Sequence, residues 1–191
     1  MAGQKNSAFS VLYVNAVSSV VRLFGRIYAM FIYIARHAWA GEHGDPRWPD
    51  DSQRPLTEEG VARYDEVVKS LVKRGFAPER IATSPYVRCR QTAEIISRRA
   101  PGGPPIDELE ALEPGSYLEP VIEWTNAQGG ADVCWVGHNP DVERFTALLI
   151  GDSSATIRFA KGAVAAIECD MEVIAGGGEL YWLATAKLLG V

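Results

Sequence analysis

Cysteine is scarce in this chain. Cys89, Cys134 and Cys169 are the only three in 191 residues. An odd, widely spaced set excludes a complete disulfide framework and offers no C-x-x-C pair for zinc. Cys134 lies inside the apolar run Val133-Cys134-Trp135-Val136, where a buried structural thiol is the expected role, and this usage suits a reducing cytoplasm. Positive charge is also short. Nineteen Lys and Arg face 24 Asp and Glu, for a net charge of -5, which excludes general nucleic-acid binding because that needs a basic surface. A few arginines focused on one site can still attract an anion. Long apolar runs are missing too: the stretch from Ala8 to Phe24 is broken by Asn15, Ser18, Ser19 and Arg22, whereas a membrane span needs roughly 18 unbroken residues. Arg22, Arg26 and the absence of a small-x-small cleavage site also argue against a signal peptide. Residues 1–29 are therefore read as an N-terminal extension, either upstream of a true start at Met30 or a loosely docked amphipathic helix.

Repeats, low-complexity segments and linkers are absent as well, so residues 30–191 are expected to form one domain, long enough to bury a substantial core. What remains is an alternation of strand and helix patterns. Phe31 to Ala35 is a short apolar run of β-formers, as in a buried parallel strand. Ala40 to Pro55 carries Gly41, Gly44, Pro46, Pro49 and Pro55 and reads as a loop. Thr57 then caps a helix with Glu58 and Glu59 in its first turn, the apolar stripe Val61, Tyr64, Val67, Val68, Leu71 and Val72, and an end at Gly75. Arg80 to Thr83 is a second strand. Ser84-Pro85 reads as N-cap and first helical residue of a helix reaching about Arg99. Ile106 to Leu112 crosses back to a turn at Glu113-Pro114-Gly115, and residues 116–127 have a helical pattern. Asp132 to Val136 is a third apolar strand, and Asn139-Pro140 opens a helix to about Ile150. Two runs, Ala163 to Cys169 and Glu179 to Thr185, flank Gly176-Gly177-Gly178 and predict an antiparallel hairpin at one side. The expected fold class is α/β, a three-layer α/β/α arrangement with a mostly parallel central sheet.

Ligands of such sheets collect beyond the carboxyl ends of the strands. His37, Ser84 and His138 each follow a separate strand run, so parallel strands would deliver all three to one edge. Helices opening at Ser84 and Asn139 would aim amide-rich N-termini at the same edge, which favours an anion. Two histidines joined there by Arg36 and Arg88 suit a phosphoryl group: a neutral imidazole attacks phosphorus while guanidinium forks hold the oxygens. No carboxylate cluster or Cys/His set marks a metal site, and no cofactor is expected. Arg47 and Arg90 read as surface residues.

Four ordered blocks carry a family resemblance. Arg36-His37-Ala38, Arg54-Pro55-Leu56-Thr57-Glu58-Glu59-Gly60, the run from Thr83-Ser84-Pro85 through Arg88 to Ala93, and Gly137-His138-Asn139-Pro140-Asp141 resemble the signatures of the histidine phosphatase superfamily, with its phosphoglycerate mutase-like fold. In order and compactness the chain is similar to the SixA branch, small phosphohistidine phosphatases, from Met30 to the C-terminus. The resemblance implies that His37 is the nucleophile, that Arg36, Arg88 and His138 surround the phosphoryl oxygens, that Arg54 is the extra arginine contributed by this loop in the SixA branch, and that no metal is required. Many superfamily members also place a carboxylic acid between the helical arginine and the second histidine. Glu113 is the best-placed candidate here, with Glu110 behind it, although the SixA branch need not have an acid at this position.

Substrate scope follows from size. Only a short connection separates Arg88 from His138, without room for a capping insertion, so an open site would admit a phosphohistidine standing on a protein partner. A small phosphate ester, with Glu113 as general acid, is the second reading. A non-catalytic phospho-ligand module on the same fold is the third.

Overall fold

The computed structural model describes residues 29–191; the N-terminal extension, Ala29 excepted, lies outside that range together with both readings of it. Among the described residues a single six-stranded sheet is built from β1 (Ala29–Arg36), β2 (Arg80–Thr83), β3 (Ile106–Glu108), β4 (Val133–Gly137), β5 (Val164–Asp170) and β6 (Glu179–Ala184). Its order is β3-β2-β4-β1-β5-β6. The first four of these run parallel, while β5 is antiparallel to β1 and β6 to β5. The parallel block and the antiparallel hairpin at one side are thus both present.

Helices α1 (Glu58–Val72) and α2 (Val87–Arg99) cover one face, and α3 (Glu119–Asn126) and α4 (Asp141–Leu149) the other. Along β1, Tyr33 and Ala35 join the cluster under α1 and α2, whereas Met30, Ile32 and Ile34 join the cluster under α3 and α4. β4 divides the same way, Cys134 and Val136 against Val133 and Trp135. A strand buried on both faces needs apolar residues at every position, which is why these runs are continuous and not alternating.

Helix starts depart from the sequence expectation. α2 begins at Val87, not Pro85, and Tyr86 takes the N-cap position with no side-chain cap. Ser84 is therefore not a cap; its hydroxyl is held elsewhere, as shown below. Residues 116–118 stay outside α3 because Ser116 folds back, its hydroxyl donating to the carbonyl of Glu113 at 2.6 Å.

Thr57 does cap α1, its Oγ1 accepting from the Gly60 amide at 2.9 Å. This first turn is pressed onto the segment leaving β1, where the Thr57 amide donates to the carbonyl of Trp39 at 3.0 Å. A Cβ on Gly60 would land on that same carbonyl. Gly60→Ala is accordingly expected to cost about 3 kcal/mol through overpacking, read as a lowered midpoint in denaturant. A midpoint equal to wild type would show that α1 can lift from Trp39 freely.

Candidate active site

The sheet register brings the strand-end residues together. Arg36 is paired with Gly137 across β1 and β4, and Thr83 with Val136 across β2 and β4. One residue further, the His37 amide donates to the Gly137 carbonyl and the Ser84 amide to the Val136 carbonyl, both at 3.0 Å. His138 therefore emerges with His37 on one side and Ser84 on the other. The two imidazole rings stand edge to face with centroids 5.4 Å apart.

Hydrogen bonds assign the proton on each ring. His37 Nδ1 lies 2.8 Å from the carbonyl oxygen of Ala38. A carbonyl only accepts, so Nδ1 carries the hydrogen and Nε2 of the neutral ring keeps a lone pair. His138 Nδ1 lies 3.2 Å from Arg88 Nη2, which only donates, and its Nε2 lies 3.0 Å from Ser84 Oγ. The His138 proton therefore sits on Nε2, facing the serine. Both rings are held neutral. Burial pulls His37 down to about 3, and the Arg88, Arg36 and Arg54 charges push the same way against the Ala38 hydrogen bond. Burial, then Arg88 and His37, lower His138 to about 2. His37 is buried, with 7% of its surface exposed.

Three guanidiniums surround this pair. Arg36 is the last residue of β1 and donates from Nη1 to the Phe159 carbonyl at 2.8 Å, with Nε buried and unpartnered. The Phe159 backbone is held in turn by α4, where the Glu143 carboxylate accepts from the Phe159 amide at 2.9 Å and from Asn139 Nδ2 at 2.6 Å. Arg88, in the first turn of α2, is buried, and its Nε also lacks a partner. Arg54 leaves the loop between β1 and α1 and is buried as well, donating from Nη1 to the Gly41 carbonyl at 2.7 Å. Three guanidiniums beside two neutral imidazoles leave a local excess of positive charge, which an incoming anion would balance.

Five of the six expected residues thus converge: Arg36, His37, Arg54, Arg88 and His138. Glu113 does not join them by contact. It is half-buried at the end of the 3-10 turn Glu110–Leu112, and its carboxylate has no hydrogen bond or ion pair among the described residues. Its turn is nevertheless tied to α4, where Asp141 accepts from the Gly115 amide at 2.8 Å. Arg47 and Arg90 lie on the surface, paired with Asp45 and Glu108. Cys89, at 3.4 Å from His138 Nε2, is pushed up to about 12 by burial and stays a thiol.

Sequence reasoning missed Asp51, which bridges Arg54 and Arg88; the signal was an acid three residues before Arg54 in an otherwise featureless loop. It also misassigned Ser84, whose hydroxyl meets His138 Nε2 at 3.0 Å and accepts at 3.4 Å from the Tyr86 amide, one residue ahead of the first helical position.

The model of the histidine phosphatase superfamily (branch 1) matches residues 32–117. An uncharacterized protein of Picosynechococcus sp. is 31% identical over 166 residues, spanning 84% of this chain and 99% of that one. The chain belongs to the histidine phosphatase superfamily. Among solved histidine phosphatases, the protein histidine phosphatase SixA complexed with tungstate is similar with a TM-score of 0.73 and 26% identity, covering 84% of this chain and 99% of that one. A phosphoglycerate mutase from Plasmodium falciparum shares the fold, with a TM-score of 0.57 and 19% identity over 81% of this chain and 90% of its own. The phosphoglycerate mutase-like architecture and the SixA likeness expected from the four sequence blocks are both observed.

Proposed function

We propose that this histidine phosphatase acts through a covalent phosphohistidine on His37 and that its substrate is phosphohistidine on a partner protein, in the cytoplasm. The observation that carries the reading is the ring state of His37: neutral, with Nδ1–H committed to Ala38 and Nε2 unprotonated beside three arginines. In the first step Nε2 bonds to phosphorus as the bond from phosphorus to the substrate imidazole breaks. Water then attacks phosphorus, the bond to Nε2 breaks, and inorganic phosphate leaves. Arg36, Arg54 and Arg88 supply the positive charge that stabilises the transferring group, a role that needs no metal ion here. His138 adds its ring at the edge of His37. Among the described residues Glu113 makes no hydrogen bond to the catalytic group, and Asp51, held ionised by Arg54 and Arg88, has no proton to give, which favours a leaving group that departs unaided. A phosphoimidazole protonated on its other nitrogen leaves as neutral imidazole, whose conjugate acid has a pKa of about 6.5, unlike an alkoxide.

Turnover of a phosphohistidine-bearing phosphotransfer protein, compared with alkyl phosphate esters, tests this. Phosphohistidine is expected to be the better substrate by at least about a hundredfold, the low end of what general acid catalysis contributes when an alcohol must leave. Glu113→Gln is expected to leave phosphohistidine turnover within about twofold of wild type. Preferred hydrolysis of esters, lost in Glu113→Gln, would replace the reading with that of an ester phosphatase using Glu113 as its acid.

A further inference from the structure

Arg54 and Arg88 do not hold their positions by themselves. Two buried guanidiniums pushed toward one centre repel, and Arg88 already loses proton affinity to burial and to Arg54. Between them stands Asp51, the first residue of the 3-10 turn Asp51–Gln53. One carboxylate oxygen accepts from Arg54 Nε at 2.8 Å, and the other lies 3.0 Å from Arg88 Nη2. The main-chain carbonyl of the same residue accepts from Arg88 Nη1 at 2.7 Å. The turn itself is fastened by Asp50, whose carboxylate accepts from the Ser52 amide at 3.0 Å.

We infer that Asp51 is a positioning residue for phosphoryl transfer, clamping Arg54 and Arg88 so that their remaining donors face the transferring group. This rests on the reading of the site as a phosphoryl-transfer centre. The choice of atoms separates a clamp from a competitor. A carboxylate that blocked the anion site would occupy the free donors of both guanidiniums, yet Asp51 leaves Arg54 Nη2 without a partner among the described residues and takes only one of the two hydrogens on Arg88 Nη1. One of its bonds to Arg88 comes from a backbone carbonyl, which an arriving anion does not replace. The chain continues inward, since the same Nη2 also reaches His138 Nδ1 at 3.2 Å and so bears on which nitrogen of that ring holds the proton. Asp51 is not a proton donor: hydrogen bonding from Arg54, reinforced by His43 and the Arg88 charge, holds its carboxyl well below the usual range, so it is ionised at neutral pH. His43 lies outermost, with its Nδ1 3.0 Å from Asp51 and its side chain 82% exposed.

The test is a double-mutant cycle between Asp51→Asn and Arg88→Ala, read by tungstate affinity and by kcat and KM on phosphohistidine protein. Asparagine keeps the shape but loses the charge and one of the two acceptor oxygens. Asp51→Asn alone is expected to weaken tungstate about tenfold and to lower kcat more than it raises KM, because the displaced guanidiniums serve the transition state. In the Arg88→Ala background the same change is expected to cost less than about threefold, since its main route of action is gone. Equal costs in both backgrounds would overturn the inference and leave Asp51 a loop-stabilising residue. Tighter tungstate binding by Asp51→Asn would overturn it in favour of a competing anion. Failure of the wild type to bind tungstate at all would instead remove the phosphoryl-transfer reading beneath it.

Discussion

His37→Ala is expected to abolish turnover and the covalent intermediate together, lowering kcat by about ten-thousandfold or more, the scale seen when a nucleophile is removed from a covalent mechanism. No other group can substitute. His138 presents Nδ1 to an arginine and Nε2–H to Ser84, so its lone pair is already engaged, and Cys89 is a buried thiol without thiolate character. Acid quenching after mixing with radiolabelled phosphohistidine protein is expected to trap label on the wild type and none on the variant. Equal labelling of both would end the nucleophile assignment. The same ring imposes a pH dependence on stability. Its folded pKa, about 3, lies below the unfolded value of about 6.5. Above 6.5 both states hold the ring neutral and no stability is lost. As pH falls from 6.5 toward 3 only the unfolded chain takes up the proton, so stability declines across that window. His37→Asn removes this share of the titration and leaves that of His138, so the decline is expected to become shallower, measured as the midpoint of thermal unfolding against pH.

How much of this was legible beforehand divides by the range of the interaction. Strand runs at residues 31–35 and 132–136 could be read because burial on both faces demands near-continuous apolar sequence, residues 80–83 form a shorter run between Arg80 and Thr83, and parallel pairing then brings His37, Ser84 and His138 to one edge. Arginines at strand ends and in the first turn of a helix inherit that convergence. The roles of Asp51 and Ser84 were not legible in this way, because their partners are fixed by tertiary contact. Asp51 meets Arg88 across 37 residues, and Ser84 meets His138 across 54. Local chemistry offered Ser84 a rival role as a helix cap, and the cap lost to a buried imidazole that needs its Nε2–H satisfied. Arg54 shows the opposite case. As a loop residue before proline it reads as surface, and only the four-block resemblance marked it; burial behind Gly41 explains why a solvated role is closed to it.

Arg88→Ala is the second large effect, with kcat/KM expected to fall about a thousandfold, the upper range for removing one donor aimed at developing charge. Its guanidinium is committed on two corners, Nη1 to the carbonyl of Asp51 and Nη2 to the carboxylate of Asp51 and to His138, which leaves the second Nη1 hydrogen as the donor proposed for the transferring group. Truncation therefore removes a phosphoryl donor and the group that fixes the tautomer of His138 at one stroke. Arg88→Lys is expected to recover less than a tenth of wild-type activity, because a single ammonium cannot span Asp51 and His138 while presenting a further donor in plane. Stability is expected to change little by comparison. Asp51 retains Arg54, His43 and partial exposure of its side chain after the truncation, so no buried charge is stranded. Nitrogen NMR of His138 gives the sharper check. With Arg88 present the ring is expected as the Nε2–H form alone; without it, Nδ1 loses its donor and the two neutral tautomers mix. A variant that kept kcat/KM within tenfold of wild type, with the His138 spectrum unchanged, would show that phosphoryl charge is met by Arg36 and Arg54 alone.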